Sequence, residues 1–105
     1  MKLITTAITN QFKKYPLYSQ DGKGKDAKVI VKFFTPDAQA TWLITEGNPL
    51  DNGDVEMFGY ATLDGREWEW GYVYLSQLKT VRGRFGLPVE RDLYFSGTVS
   101  DGVGA

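Results

Sequence analysis

The chain contains no cysteine and no histidine. Without cysteine there is no disulfide framework, no thiol nucleophile and no thiolate-held metal. Without histidine the commonest general base is missing. So are the Ser-His-Asp arrangement and the usual zinc and non-haem iron ligand sets. Apolar runs are short, so no transmembrane helix is expected. Neither sign of charge dominates. Twelve Lys and Arg against thirteen Asp and Glu give a formal net charge of -1, which argues against a bulk polyanion binder. The opening MKLITTAITNQFKKYP begins basic, but Thr5, Thr6, Thr9, Asn10 and Gln11 interrupt its apolar residues. No small-residue cleavage site follows, so a cytoplasmic location is expected rather than export.

What is present suits one packed domain. A length of 105 residues leaves no room for two self-sufficient cores. An apolar share of 42%, with 14% aromatic, is enough buried surface to offset the ordering entropy. The near-neutral total hides segregation. Residues 1–35 carry seven lysines and two aspartates, whereas residues 36–75 carry eight acids and only Arg66. A basic first third thus precedes an acidic middle, either as solvated surfaces or as two recognition faces.

Ile4, Ala7, Ile8, Phe12 and Tyr15 recur at helical spacing. Thr5 or Thr6 caps this helix and Pro16 ends it. Ser19–Ala27 reads as a mobile loop. Lys28–Thr35 and Thr41–Glu46 read as strands, rich in β-branched and aromatic residues. Val55–Leu63 and Arg66–Leu75 flank Asp64-Gly65, a favoured pair for a two-residue type I′ turn. That turn sets Ala61 against Trp68, Gly59 against Trp70, Met57 against Tyr72 and Val55 against Tyr74. Small residues then oppose large ones on one side of the pleat, and Glu69 lies across from Tyr60 on the other. Ser76 opens a short helix through about Arg82, stopped by Gly83. Leu87–Phe95 is extended, as an edge strand with Pro88 near its start. The expected fold is α+β: a mostly antiparallel four- or five-stranded sheet, an N-terminal helix on one face and a short second helix. Residues 1–95 form the single domain and 96–105 a flexible, glycine-rich tail.

The segments KVIVKFFTPDAQATWLITEG, FGY, GYVYLSQLKTVRG and GLPVERDLYF occur in that order. With Leu17-Tyr18-Ser19 after the first helix, they resemble the bacterial family catalogued as domain of unknown function 2958. The likeness covers roughly residues 3–95. It implies a small protein often encoded on plasmids, phages and integrative elements. It implies no activity and transfers no functional residue.

Trp68, Trp70, Tyr72 and Tyr74 form an aromatic stripe, read as core under the helix, with base stacking as the alternative. Glu56, Glu67 and Glu69 project from the opposite side beside Tyr60 in the proposed register. This acidic face is either solvated or a docking surface for a basic partner, with carboxylate catalysis or Mg²⁺ binding the remotest reading. Lys13, Lys14, Lys23, Lys25 and Lys28 are the candidate anion-binding residues, although Gly22-Lys23-Gly24-Lys25 lacks the spacing of a phosphate-binding loop. Asp51-Asn52-Gly53-Asp54 is a turn without the ligand spacing of a calcium loop. Arg91 is expected to pair with a sheet-face glutamate. No catalytic residue, cofactor or metal site is expected. The functional expectation is a non-enzymatic module that binds a larger host or mobile-element protein as monomer or homodimer. Its concrete version is an anti-defence factor inhibiting a nuclease or CRISPR complex. The alternatives are a nucleic-acid-binding accessory protein and a small carboxylate- or metal-dependent enzyme.

Overall fold

The computed structural model of the chain describes residues 1–104. Its centre is a five-stranded antiparallel sheet in the order β4-β3-β2-β1-β5. The strands are β1 (Val31–Phe34), β2 (Thr41–Pro49), β3 (Val55–Thr62), β4 (Glu69–Tyr74) and β5 (Glu90–Arg91). Helix α1 (Thr6–Lys14) precedes the sheet, α2 (Leu75–Leu78) follows β4, and α3 (Val99–Gly104) follows β5. This is the expected α+β architecture, with the long β2 at its middle.

The α1 helix starts where the Thr5 hydroxyl accepts the Ile8 amide, one of the donors that a helix end leaves orphaned. Lys13 and Lys14 close its last turn, where cations suit the helix dipole. Its apolar stripe seats Phe12 against the sheet, directly over Gly47. A Cβ on Gly47 would stand 2.5 Å from the Phe12 ring, so the helix rests this close only because β2 is bare there. Around Phe12 lies the main core, with Val31, Phe33, Trp42, Ile44, Val55, Met57, Leu75, Leu78 and Val89. Alternate residues of each strand point to this side, as the two-residue period of a strand requires.

The other side of the sheet holds a smaller cluster of Ala27, Val29, Leu43 and Val99, with Tyr60, Trp68, Phe95 and Val103 packed against it. Two elements cover this back face in part. One is the segment 17–27, which includes a single 3₁₀ turn at Gly24–Asp26. The other is α3. Residues 96–104 therefore do not fray as expected: Val99 is fully buried and its amide donates to the Ala27 carbonyl. The sequence signal was diluted by glycine, but Gly102 serves here to let the helix lie against the Leu43 side chain.

The segment expected to be mobile is pinned. Gln20 is buried and spends its whole amide: Nε2 donates to the carbonyls of Lys28 and Thr45, and Oε1 accepts the Lys28 amide. The helix expected over Ser76–Arg82 is shorter. Asp54 accepts both the amide and the hydroxyl of Ser76, which fixes the start of α2. At the other end Arg82 donates to the carbonyls of Lys79 and Val81, replacing further helical turns. No described helix is long and apolar enough to cross a membrane.

Candidate functional site: an aromatic face on the sheet

The β3–β4 hairpin departs from the expected register by one residue. Ala61 pairs with Glu69, Tyr60 with Trp70, Gly59 with Gly71, Phe58 with Tyr72 and Glu56 with Tyr74. The cause sits in the connection. The Asp64 carboxylate accepts the amides of Arg66 and Glu67 and the hydroxyl of Thr62, while the Gly65 amide donates to that hydroxyl. These bonds build a wide loop instead of a two-residue turn. They also hold the Asp64 carboxyl below the usual carboxylate range, the Glu67 and Arg66 amides being the main cause.

A slip of one residue turns every side chain of β4 over. The aromatic stripe is therefore not core. Trp70 and Tyr72 keep 40% and 51% of their surface exposed, on the same side as Phe58 and Tyr60. The rings form a continuous ladder. Trp68 stacks on Tyr60 at 5.4 Å between centroids, Tyr60 meets Trp70 at 4.8 Å, Trp70 stacks on Phe58 at 5.7 Å, and Phe58 meets Tyr72 at 4.9 Å. Trp68 is the inner end, half-buried in the back cluster. At the outer end Tyr18 stands 70% exposed in a left-handed backbone conformation (φ 73°). Hydrogen bonding to Tyr18, then desolvation and the negative charges of Glu46 and Glu56, push the Tyr72 phenol up to about 12. The Tyr74 hydroxyl donates to Glu56 at 3.3 Å, and the Glu56 charge raises its phenol as well.

The proposed acidic face is divided by the corrected register. Glu56 and Tyr60 share the aromatic side. Glu69 lies opposite Ala61 on the other side of the sheet, and Glu67 belongs to the Asp64 loop. Glu69 does not face Tyr60, so the expected set of neighbouring carboxylates is not assembled. Among the described residues no three metal-ligating side chains come together. The candidate lysines are exposed but dispersed over two elements. Lys13 and Lys14 end α1, Lys23 and Lys25 lie at the 3₁₀ turn, and Lys28 follows it with its ammonium 5.5 Å from the Tyr15 ring centroid. Lys25 sits 5.8 Å from the Tyr60 ring centroid. Arg91 pairs with no glutamate; its guanidinium donates to the carbonyls of Lys2 and Leu3 and ties the amino-terminal segment to β5. The sheet has two edges, β4 on one side and β5 on the other, and β5 lies within the Leu87–Phe95 stretch expected as an edge strand.

One residue of this region was not singled out from the sequence. Glu46 keeps only 4% of its surface, although it follows a run that reads as plain strand alternation. A β-bulge between Ile44 and Glu46 inserts Thr45 and swings Glu46 to the back face, opposite Phe58. There its two oxygens accept the Tyr18 amide at 2.8 Å and the Gln20 amide at 2.9 Å, which holds the covering segment down. Nothing in the sequence marks the bulge. Beside Glu46 opens a cleft of about 310 Å³, walled by Phe58 and Trp70 on one side and by Asp21, Gly22 and Gly24 on the other.

The family described as "Protein of unknown function (DUF2958)" matches residues 3–101. The chain belongs to that family. The match runs past Phe95 into α3, further than the sequence resemblance reached, and agrees with α3 being packed into the domain. No curated protein and no solved structure matches the chain.

Proposed function

We propose that this protein is a non-enzymatic binding module that docks a larger protein through the aromatic face of β3 and β4. The observation that carries this reading is the ladder itself. Trp70, Tyr72, Tyr74 and Tyr18 stay open to water beside the part of that sheet face covered by the 17–27 segment and α3. Trp and Tyr combine large apolar area with few rotatable bonds, and they dominate the energetics of protein interfaces. A contiguous exposed patch of them is uncommon on a protein that works alone. Of the four residues first considered for partner binding, Glu56 and Tyr60 belong to this surface and Glu67 and Glu69 lie outside it. The mobile-element setting implied by the family resemblance gives the reading its specific form: a cytoplasmic anti-defence factor that occupies a host nuclease or CRISPR complex.

The test is affinity capture of the tagged protein from its host after nuclease treatment, read by mass spectrometry. Wild type is compared with Trp70→Ser/Tyr72→Ser and with Glu67→Lys/Glu69→Lys. A stoichiometric partner kept by the glutamate variant and lost by the aromatic one is expected. Retention of the same partner by a folded aromatic variant overturns the reading.

A second reading rests on Lys25 beside the Tyr60 ring: stacked bases on the ladder with a lysine tracking the backbone. It requires retardation of a single-stranded probe at low salt that Trp70→Ser abolishes and that added salt weakens steeply. An unshifted probe removes it.

A further inference from the structure

We infer that the cleft between the 17–27 segment and the aromatic ladder receives the guanidinium group of an arginine side chain presented by the docked partner. The inference rests on the docking reading above and names the chemistry of what is docked. Its first support is Glu46. The carboxylate is almost wholly buried at the cleft, yet both of its hydrogen bonds come from neutral backbone amides. The single ion pair within 4.0 Å among the described residues joins Lys32 to Asp92, so no lysine or arginine of the chain neutralises Glu46. A buried charge without a counter-charge is costly, and each carboxylate oxygen still has a lone pair to offer.

The walls narrow the choice of cation. Phe58 and Trp70 stack on each other, 12° from parallel with their centroids 5.7 Å apart, and both line the cleft. A guanidinium is planar and weakly hydrated, packs against aromatic rings, and donates through a fork that suits a carboxylate. An ammonium matches the charge but not the plane. The same surface already attracts a cation: the chain's own Lys25 sits over the neighbouring Tyr60 ring. Asp21 at the facing wall adds a second negative group, and Gly22 and Gly24 leave that wall without side chains. A nucleobase would find the stacking surface too, but its phosphates would meet Asp21, Glu46 and Glu56.

The experiment is an NMR titration of the intact protein with the blocked tripeptide acetyl-Gly-Arg-Gly-amide and its citrulline and lysine counterparts. Saturable shifts at the Trp70 indole and the Gly22 and Gly24 amides are expected for the arginine peptide. Citrulline, the uncharged isostere, should bind at least about tenfold more weakly, the step expected when a charge-assisted pair is lost. Trp70→Leu should remove the shifts. Glu46→Gln should do so as well, and if that change loosens the segment, Asp21→Asn and Trp70→Leu keep the test open. Equal binding of arginine and citrulline peptides overturns the inference. So does a uridine monophosphate titration that shifts the cleft when the arginine peptide does not. The two readings fail separately. Loss of arginine selectivity with partner capture still dependent on Trp70 and Tyr72 removes the arginine cleft alone. Arginine selectivity with capture unaffected by those residues supports the cleft and removes the docking face.

Discussion

Gly59 and Gly71 face each other across β3 and β4, yet substitution should affect them in opposite directions. A Cβ on Gly59 would stand 2.8 Å from the Leu43 carbonyl carbon and 2.9 Å from the Ile44 Cα, both backbone atoms of β2. Neither can turn aside as a side chain would, so β2 and β3 must separate beside the bulge that aims Glu46. Overpacking of this kind costs about 3 kcal/mol, the upper end of the usual range. For a domain of this size that is a fall in Tm of roughly 12–24 °C, taking roughly 4–8 °C per kcal/mol. At Gly71 a Cβ meets nothing within 4 Å, and the backbone is not in the left-handed region. Gly71→Ala should therefore be neutral or stabilise by up to about 0.5 kcal/mol, through the entropy glycine loses on folding. Differential scanning calorimetry of the two variants decides the matter. A Gly59→Ala protein that melts within a few degrees of wild type would refute the packing argument. A large loss at Gly71 would refute the register itself, because only a different strand pairing puts atoms over that site.

Replacing Thr5 by Ala should cost about 1 kcal/mol, read from urea unfolding, because the Ile8 amide loses its acceptor. Val99→Ala should cost about 2 kcal/mol from the fully buried back cluster, and an unchanged midpoint would mean that α3 contributes no packing. Ultraviolet titration at alkaline pH should find the Tyr72 phenol ionising near 12, and Tyr18→Phe should bring it down toward 10. The sign follows from the raised value: the fold favours the neutral phenol fully below 10 and loses that preference as pH rises through 12. Asp64 behaves in the opposite sense, being held low. Its contribution to the 62–68 loop is complete above the ordinary carboxylate range and vanishes as pH falls through its folded value, so the Arg66 and Glu67 amides should lose protection only in strong acid.

The elements whose signal is local were legible in the sequence. Helical spacing from Ile4 to Tyr15 and the cap at Thr5 specify α1. β-branched and aromatic enrichment specifies β1, β2 and the hairpin strands. The register was not legible, because two local rules competed. Asp64-Gly65 suits a tight turn, but the Asp64 carboxylate gains three donors by opening a wider one. The apparent match of small residues with tryptophans supported the wrong choice. The glycines and Ala61 instead share a side away from the aromatic rings, and Gly59 is small because β2 passes close by. That one-residue difference hid the aromatic face and scattered the carboxylates. Glu46 was hidden for a related reason: a bulge leaves no mark on composition or period. The 96–104 segment was misread because glycine signals a loop locally, whereas here Gly102 permits a close approach that only the distant Leu43 can explain.

The dependence of both cores on late residues bears on how the chain is made. The main core is sealed by Val89 and the back cluster by Val99, so each layer of the sheet needs a piece from the last fifth of the chain. A ribosome delivers these pieces after strands β1 to β4. Until then β3 and β4 emerge as a hairpin with one face of unburied Trp, Phe and Tyr and the other face unsealed. The finished protein keeps much of that aromatic face open. The nascent chain and the mature protein therefore present a similar sticky surface to the cell, and a partner able to dock on the one meets the other during synthesis.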